Sequence, residues 1–301
     1  MTLRHDMKRG ALMMLGATAL FALMSALVKE LGSHIPFPEL MFFRNAFALP
    51  VVLAIGLRRH VTLQTRRFSG HVMRALTGIS AMSCSFFALT ILPLAEQTAL
   101  SYTTPIFVII LSIPFLGERP GPHRWAAVLI GFLGIVVIAV GQGAFGSSRA
   151  LPAGMPDWMM WVALGAAACN GVFSGLTTML VRQLSDTESS ATIVLWQSLL
   201  MTGFSLLALP FVWVTPSLWQ LVLLLGIGLL GGLAQVLLTE AYASAQVSSL
   251  GPYSYIALIW AIVIGWIVWG EAPSLTMLAG AGLIIFAGLY ILHREMRRRG
   301  R

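Results

Sequence analysis

The sequence predicts an all-α integral membrane protein of ten transmembrane helices, arranged as two inverted five-helix repeats around a central cavity. Three observations predict it. Only 10% of the 301 residues are charged and the mean hydropathy is +0.85, whereas about 25% of an ordinary soluble domain is charged. Apolar runs of about 20 residues, enough to cross a bilayer, follow one another from Gly10 to Leu292 with short polar breaks. The chain also matches itself when slid by 153 residues: Gly117 and Glu118 fall on Gly270 and Glu271, Ser101 and Tyr102 on Ser254 and Tyr255, Gly78 on Gly231, and Lys29 on Arg182. Apolar matches are cheap in such a chain, but a Gly-Glu turn, a Ser-Tyr pair and a basic helix end at one offset mark an internal duplication.

The first predicted helix spans 10–30. Arg4, Lys8 and Arg9 precede it as in a leader, but the apolar run is too long for a cleaved signal and lacks a cleavage box, so it reads as an uncleaved first span. Helices follow at 38–57, 70–92 and 94–117. The last is ended by Gly117-Glu118-Arg119-Pro120-Gly121-Pro122, a sequence that breaks a helix. The fifth, at 123–141, completes the first repeat, 10–141, and Gln142 to Pro156 is the longest connection. The second repeat, 157–293, holds helices at 157–182, 189–213, 217–245, 248–270 and 274–293. An odd number of spans per repeat inverts the second copy. Glu118 and Glu271 are placed to cap the helices that follow them.

Orientation follows from Lys and Arg. With a cytoplasmic N-terminus the inside segments hold Arg4, Lys8, Arg9, Arg58, Arg59, Arg66, Arg67, Arg119, Arg124, Arg182, Arg294, Arg297, Arg298, Arg299 and Arg301, against Lys29 and Arg149 outside. This bias places both termini in the cytoplasm. The net charge of +8 is explained by the same distribution. No folded basic domain exists to bind nucleic acid.

Trp158, Trp161, Trp213, Trp219, Trp266 and Trp269 fall at predicted outer helix ends and Trp125 at an inner one, where indoles sit in a bilayer. Trp196 and Trp260 alone are off these belts. Gly171 with Gly175, and Gly228 with Gly232, give small-residue faces for close helix packing, for a sliding contact or for a homodimer. Cys84 and Cys169 both lie in apolar runs and read as packed thiols.

Catalytic constellations are missing. The histidines His5, His34, His60, His71, His123 and His293 occupy loops or helix ends with no ligand spacing, so no metal is expected. No Gly-rich Lys-Ser/Thr loop exists to hold a nucleotide, and Gly171-Val172-Phe173-Ser174-Gly175 does not fit the spacing of a nucleophile elbow. No cofactor is implied.

What remains is a set of polar groups at membrane depth. Arg44 lies about six residues, roughly 9 Å, into the second helix, and Glu240 stands just inside the cytoplasmic end of the eighth. At offset 153 Arg44 and Phe87 correspond to Gln197 and Glu240, so the two halves differ chemically. Each charge either snorkels or joins an ion pair, such as Arg44 with Glu96 or Arg74 with Glu240, or else serves a substrate or a proton. Around them, Tyr102, Asn170, Trp196, Gln235, Tyr242, Tyr253, Tyr255 and Trp260 read as a cavity lining or as satisfied core side chains.

Leu92-Pro93-Leu94-Ala95, Tyr102-Thr103-Thr104-Pro105-Ile106-Phe107, Leu116-Gly117-Glu118, Trp125, Gly131 and Gly134, within a duplicated five-helix unit, resemble the EamA domain of the drug/metabolite transporter superfamily over Gly10 to Leu292. The second copy departs from the first in carrying Leu258 where the first has Pro105. The resemblance implies a basket of helices one to four and six to nine around a cavity, with helices five and ten peripheral. It implies secondary transport by alternating access of a small amphipathic or zwitterionic metabolite, such as an amino acid, a vitamin or a nucleotide derivative, with protons as a candidate coupling ion. The Leu92 to Pro105 stretch is most similar to members handling riboflavin, S-adenosylmethionine or opine-type metallophores. Two other classes compete with a transporter. An integral membrane enzyme acting on a lipid-linked or amphipathic substrate would need a nucleophile, metal or acid/base pair at one depth. A purely structural membrane protein would not need two similar halves with polar groups at the midplane.

Overall fold

The computed structural model describes residues 7–58, 64–116, 122–141, 156, 158–185, 187–188, 190–244, 253 and 255–299. Among them all regular structure is helical. The first half contains α1 (Met7–Leu31), α2 (Phe37–Arg58), α3 (Phe68–Leu89), α4 (Leu94–Ser101), α5 (Thr104–Leu116) and α6 (Pro122–Gly141). The second contains α7 (Trp158–Ser185), α8 (Ser190–Val212), α9 (Leu218–Ser244), α10 (Ile256–Trp269) and α11 (Leu275–Arg299). Six of these, α1, α2, α3, α7, α8 and α9, carry apolar windows of 18 residues or more, which suffice by length and composition to cross a membrane.

The helix expected at 94–117 is two helices. The chain leaves helical geometry at Tyr102 and Thr103, between α4 and α5. Pro105 lies in the first turn of α5, the one part of a helix that tolerates a residue without an amide hydrogen. The helix expected at 248–270 is described from Ile256, with Tyr255 at its N-cap, although Leu258 occupies the position of Pro105. Tyr102 and Tyr255, one repeat apart, therefore both sit where a helix starts anew.

Packing partners repeat with the sequence. Helix α1 packs on α9 as α3 does on α7, and α2 packs on α9 as α3 does on α8. Helix α1 packs on α10 as α5 does on α7, while α2 on α8 and α6 on α11 pair counterparts directly, and α4 packs on α10. Gly171 and Gly175 of α7 let α5 approach, through Phe107, Val108 and Leu111. Gly228 and Gly232 of α9 do the same for α2 at Phe47, Ala48 and Val51. Both glycine faces are thus filled within the chain.

The main core sits at one end of the bundle. It joins Val28 and Leu31 of α1, Leu40 and Met41 of α2, Phe86 and Leu89 of α3, Leu94 and Leu100 of α4, and Leu224 and Ile227 of α9. The opposite surface of many helices is apolar and exposed: Leu129, Phe132, Leu133 and Val136 on α6, Leu206, Leu207 and Phe211 on α8, and Ile259, Trp266 and Ile267 on α10. Faces of this extent in water would aggregate, and a bilayer is the solvent that matches them. Trp125, Trp158, Trp161, Trp213, Trp219 and Trp266 are all exposed. Cys84 and Cys169 are free thiols, the second exposed rather than packed.

Candidate functional site

The polar groups inside the bundle fall into four places. At the start of α2, Arg44 donates from Nη1 to Asn45 Oδ1 at 2.9 Å, leaving Nε buried with no partner. Gly231 of α9 makes room for it, since a Cβ there would come within 3.3 Å of Arg44 Nε and 2.8 Å of Met24 Sδ. Asn45 donates in turn to the Met41 carbonyl at 2.9 Å and to Ser205 Oγ of α8 at 3.5 Å. A guanidinium at this depth is costly unless a partner or water meets it.

At the start of α3, His71 and Arg74 share a face and are both buried. Trp196 of α8 lies beside His71, with ring centroids 5.8 Å apart, and meets Phe68 edge-on at 5.3 Å. Neither expected ion pair forms: among the described residues Arg44 and Arg74 have no carboxylate partner. Arg44 lies against Gly231 of α9, and the helix that carries Arg74 packs on α7 and α8.

At mid-chain, Tyr102 and Tyr255 stack obliquely with centroids 4.8 Å apart, so the two helix starts touch across the repeat boundary. On α7, Asn170 is buried and accepts from Ser174 Oγ at 2.8 Å. Gln197, the repeat counterpart of Arg44, has a buried Oε1 with no hydrogen-bond partner. Gln235 and Glu240 are half-buried on α9.

Two expected site residues stand elsewhere. Tyr253 packs with Met14 and Ala241 in a small cluster between α1 and α9. Trp260 is 36% exposed on α10, turned to the surface and not grouped with the others. The Tyr242 side chain and the Glu118 turn lie outside the described residues.

The fourth place is an ion pair. Lys29 at the end of α1 binds Glu271, in the turn after α10, and donates to the Leu92 carbonyl at 3.3 Å, with its ammonium 5.1 Å over the Trp269 ring. Glu271 does not cap the helix that follows it. Its Oε2 accepts from the Leu94 amide at 3.3 Å, the first residue of α4, while Ser274 caps α11 through the Met277 amide at 3.1 Å. The loop geometry of Gly270, in the left-handed region at φ 67°, turns Glu271 back toward α4.

Reading the sequence missed His71, Asn45 and the buried Glu39, whose Oε2 accepts from the Val214 amide at 3.0 Å. Spacing held the signal for one of them: His71 and Arg74 are three residues apart, on one helix face.

These features define a multi-pass, all-helical membrane protein with polar groups held between two similarly packed halves. The EamA-like transporter family model matches the chain twice, over residues 8–140 and 159–293, and the chain belongs to this family, within the drug/metabolite transporter superfamily. It is 31% identical to a riboflavin transporter of Rhizobium johnstonii, covering 96% of this chain and 92% of the relative. It is 29% identical to the pseudopaline exporter CntI of Pseudomonas aeruginosa, covering 93% and 95%. It is 27% identical to an S-adenosylmethionine uptake transporter of Rickettsia bellii, covering 89% and 88%. A crystal structure of a protein 22% identical in sequence superposes with a TM-score of 0.63 over 94% of this chain and 97% of the other, a likeness of fold. The family and these relatives are transporters and not enzymes.

Proposed function

We propose that the protein is a secondary transporter of a small amphipathic or zwitterionic metabolite in a bacterial inner membrane, working by alternating access between two inverted five-helix halves. The observation that carries the reading is the exchange of packing partners under the 153-residue shift, in which α1 on α9 becomes α3 on α7. Two halves with interchangeable contacts can close one mouth while opening the other. Counting α4 and α5 as one crossing gives ten spans, and the basic residues orient both termini to the cytoplasm. On this orientation the main core and the Lys29–Glu271 pair lie on the outer side. The pair closes that mouth by tying α1, the start of α4 and the end of α10 together.

At offset 153 Lys29 and Glu271 correspond to Arg182 and Glu118, the residues to make the equivalent closure on the inner side. The substrate then lies between the two, against Arg44, Gln197, Tyr102, Tyr255, Asn170 and Trp196, with Gln235 and Glu240 toward the cytoplasm and Glu240 as the candidate proton carrier. Relatives named for riboflavin, pseudopaline and S-adenosylmethionine support a small metabolite as the solute.

The test compares metabolites in cells and medium with and without the protein, followed by uptake of the changed compound into proteoliposomes. A compound whose distribution shifts and which then crosses in proteoliposomes supports the reading. Proteoliposomes that move none of the changed compounds reject it.

A further inference from the structure

We infer that the first turns of α3, with Trp196 of α8, form an anion-binding subsite that takes the carboxylate or phosphate group of the transported solute, an assignment that rests on the transport reading above. His71 is 1% exposed and Arg74 6% exposed. Both nitrogens of the His71 ring, and Nε and Nη1 of Arg74, are buried without a hydrogen-bond partner. Four such atoms within one turn of helix are not an ordinary cost of packing, because buried polar groups are almost always satisfied.

The walls of the site are well made. A Cβ on Gly70 would come within 2.9 Å of Leu184, Arg67 Nη1 donates to the Gln183 carbonyl at 2.8 Å, and Thr177 Oγ1 donates to Thr77 Oγ1 at 2.9 Å, so α7 closes one side. Trp196 closes another, beside His71 and against Phe68. The Glu188 carboxylate acts electrostatically on His71 but accepts its hydrogen bond from Thr65 Oγ1 at 2.6 Å, and it leaves the buried nitrogens of His71 and Arg74 without a hydrogen-bond partner.

The chemistry of the vacant partners names the ligand. A guanidinium has donors only and keeps its charge. Side chains on a helix lean toward its N-terminus, which brings the Arg74 head to the level of His71. Imidazole adds a donor in either tautomer. Such a set is met by an acceptor with several oxygens, and a carboxylate or phosphate accepts from a guanidinium through two parallel bonds. The flat face of Trp196 beside it suits a solute whose charged group is attached to a planar body.

The thermal midpoint of the full-length protein in detergent, with inorganic phosphate or citrate titrated against chloride at equal ionic strength, tests the assignment. The wild type should be stabilised by one or both anions. Arg74→Gln should weaken the apparent affinity by more than about tenfold, the loss of a charge-assisted hydrogen bond, and Arg74→Lys should keep part of it. Without anions Arg74→Gln should be at least as stable as wild type, because it removes an unpaired buried charge. A drop in that variant's own stability, an equal anion response in wild type and Arg74→Gln, or no response at all overturns the proposal. A response to phosphatidylglycerol in nanodiscs with none to phosphate or citrate assigns the site to a lipid headgroup and overturns it as well. Anion binding that depends on Arg74 in a protein that transports nothing would reject the transport reading alone. Undiminished transport of an anionic solute by Arg74→Gln would reject the subsite alone.

Discussion

Trp196 and Trp260 read alike in the sequence, as the two indoles away from the interface belts, yet one is half-buried beside His71 and the other is exposed on α10. Removing an indole that contacts a substrate costs about 1 to 3 kcal/mol of binding, so Trp196→Ala should lower transport at low substrate concentration by about 5- to 150-fold at unchanged protein level. Trp260→Ala should cost less, and rates in proteoliposomes at matched protein amounts check the order. Glu240 carries a separate expectation. Arg74 is not its partner, so no rescue through Arg74 is predicted. Gln keeps the shape of the side chain but cannot carry a proton. If Glu240 couples transport to protons, Glu240→Gln should abolish gradient-driven accumulation and spare exchange of substrate across the membrane. Normal accumulation by the variant removes Glu240 from the coupling role.

At the scale of elements, two contacts across the repeats can be measured. Lys29→Met and Glu271→Met should each lower the thermal midpoint, and the double variant should be less destabilised than the sum, with a coupling of about 0.5 to 3 kcal/mol for groups in direct contact. Additive effects would show that the pair does not hold the outer mouth. The second contact is α9 on α2. A Cβ on Gly228 would overlap Phe47, whereas Gly203 on α8 has nothing within 4 Å of that position. Gly228→Ala should therefore destabilise by about 1 to 3 kcal/mol through overpacking. Gly203→Ala should gain about 0.5 to 1 kcal/mol by stiffening the helix. Thermal denaturation in one detergent compares the two directly.

For the whole molecule, the distribution of Lys and Arg makes the topology testable. Reporter fusions after Gly300 and between Arg58 and Gly70 should report cytoplasm, and a fusion at Gly146 should report the outside. A cytoplasmic signal at Gly146 is incompatible with five crossings in the first half. The sequence by itself determined that the protein is a helical membrane protein and a member of its family, and it carried the offset at which the packing partners recur. Hydropathy, charge bias and repeated turn motifs are sums over neighbouring residues, so they survive without any knowledge of packing. Tertiary structure alone decided the rest. Glu271 looks like a cap for the next helix, but the turn at Gly270 sends it to Lys29, 242 residues away in sequence, and to the Leu94 amide. The helix start at Tyr255 lacks a proline at the position of Pro105, and only the fold shows that the Tyr102 and Tyr255 rings meet there. His71 looks like a loop-end histidine, but α7 and α8 bury it with Arg74. Burial and pairing depend on which distant helices meet, and a one-dimensional pattern of polar and apolar residues does not contain that choice.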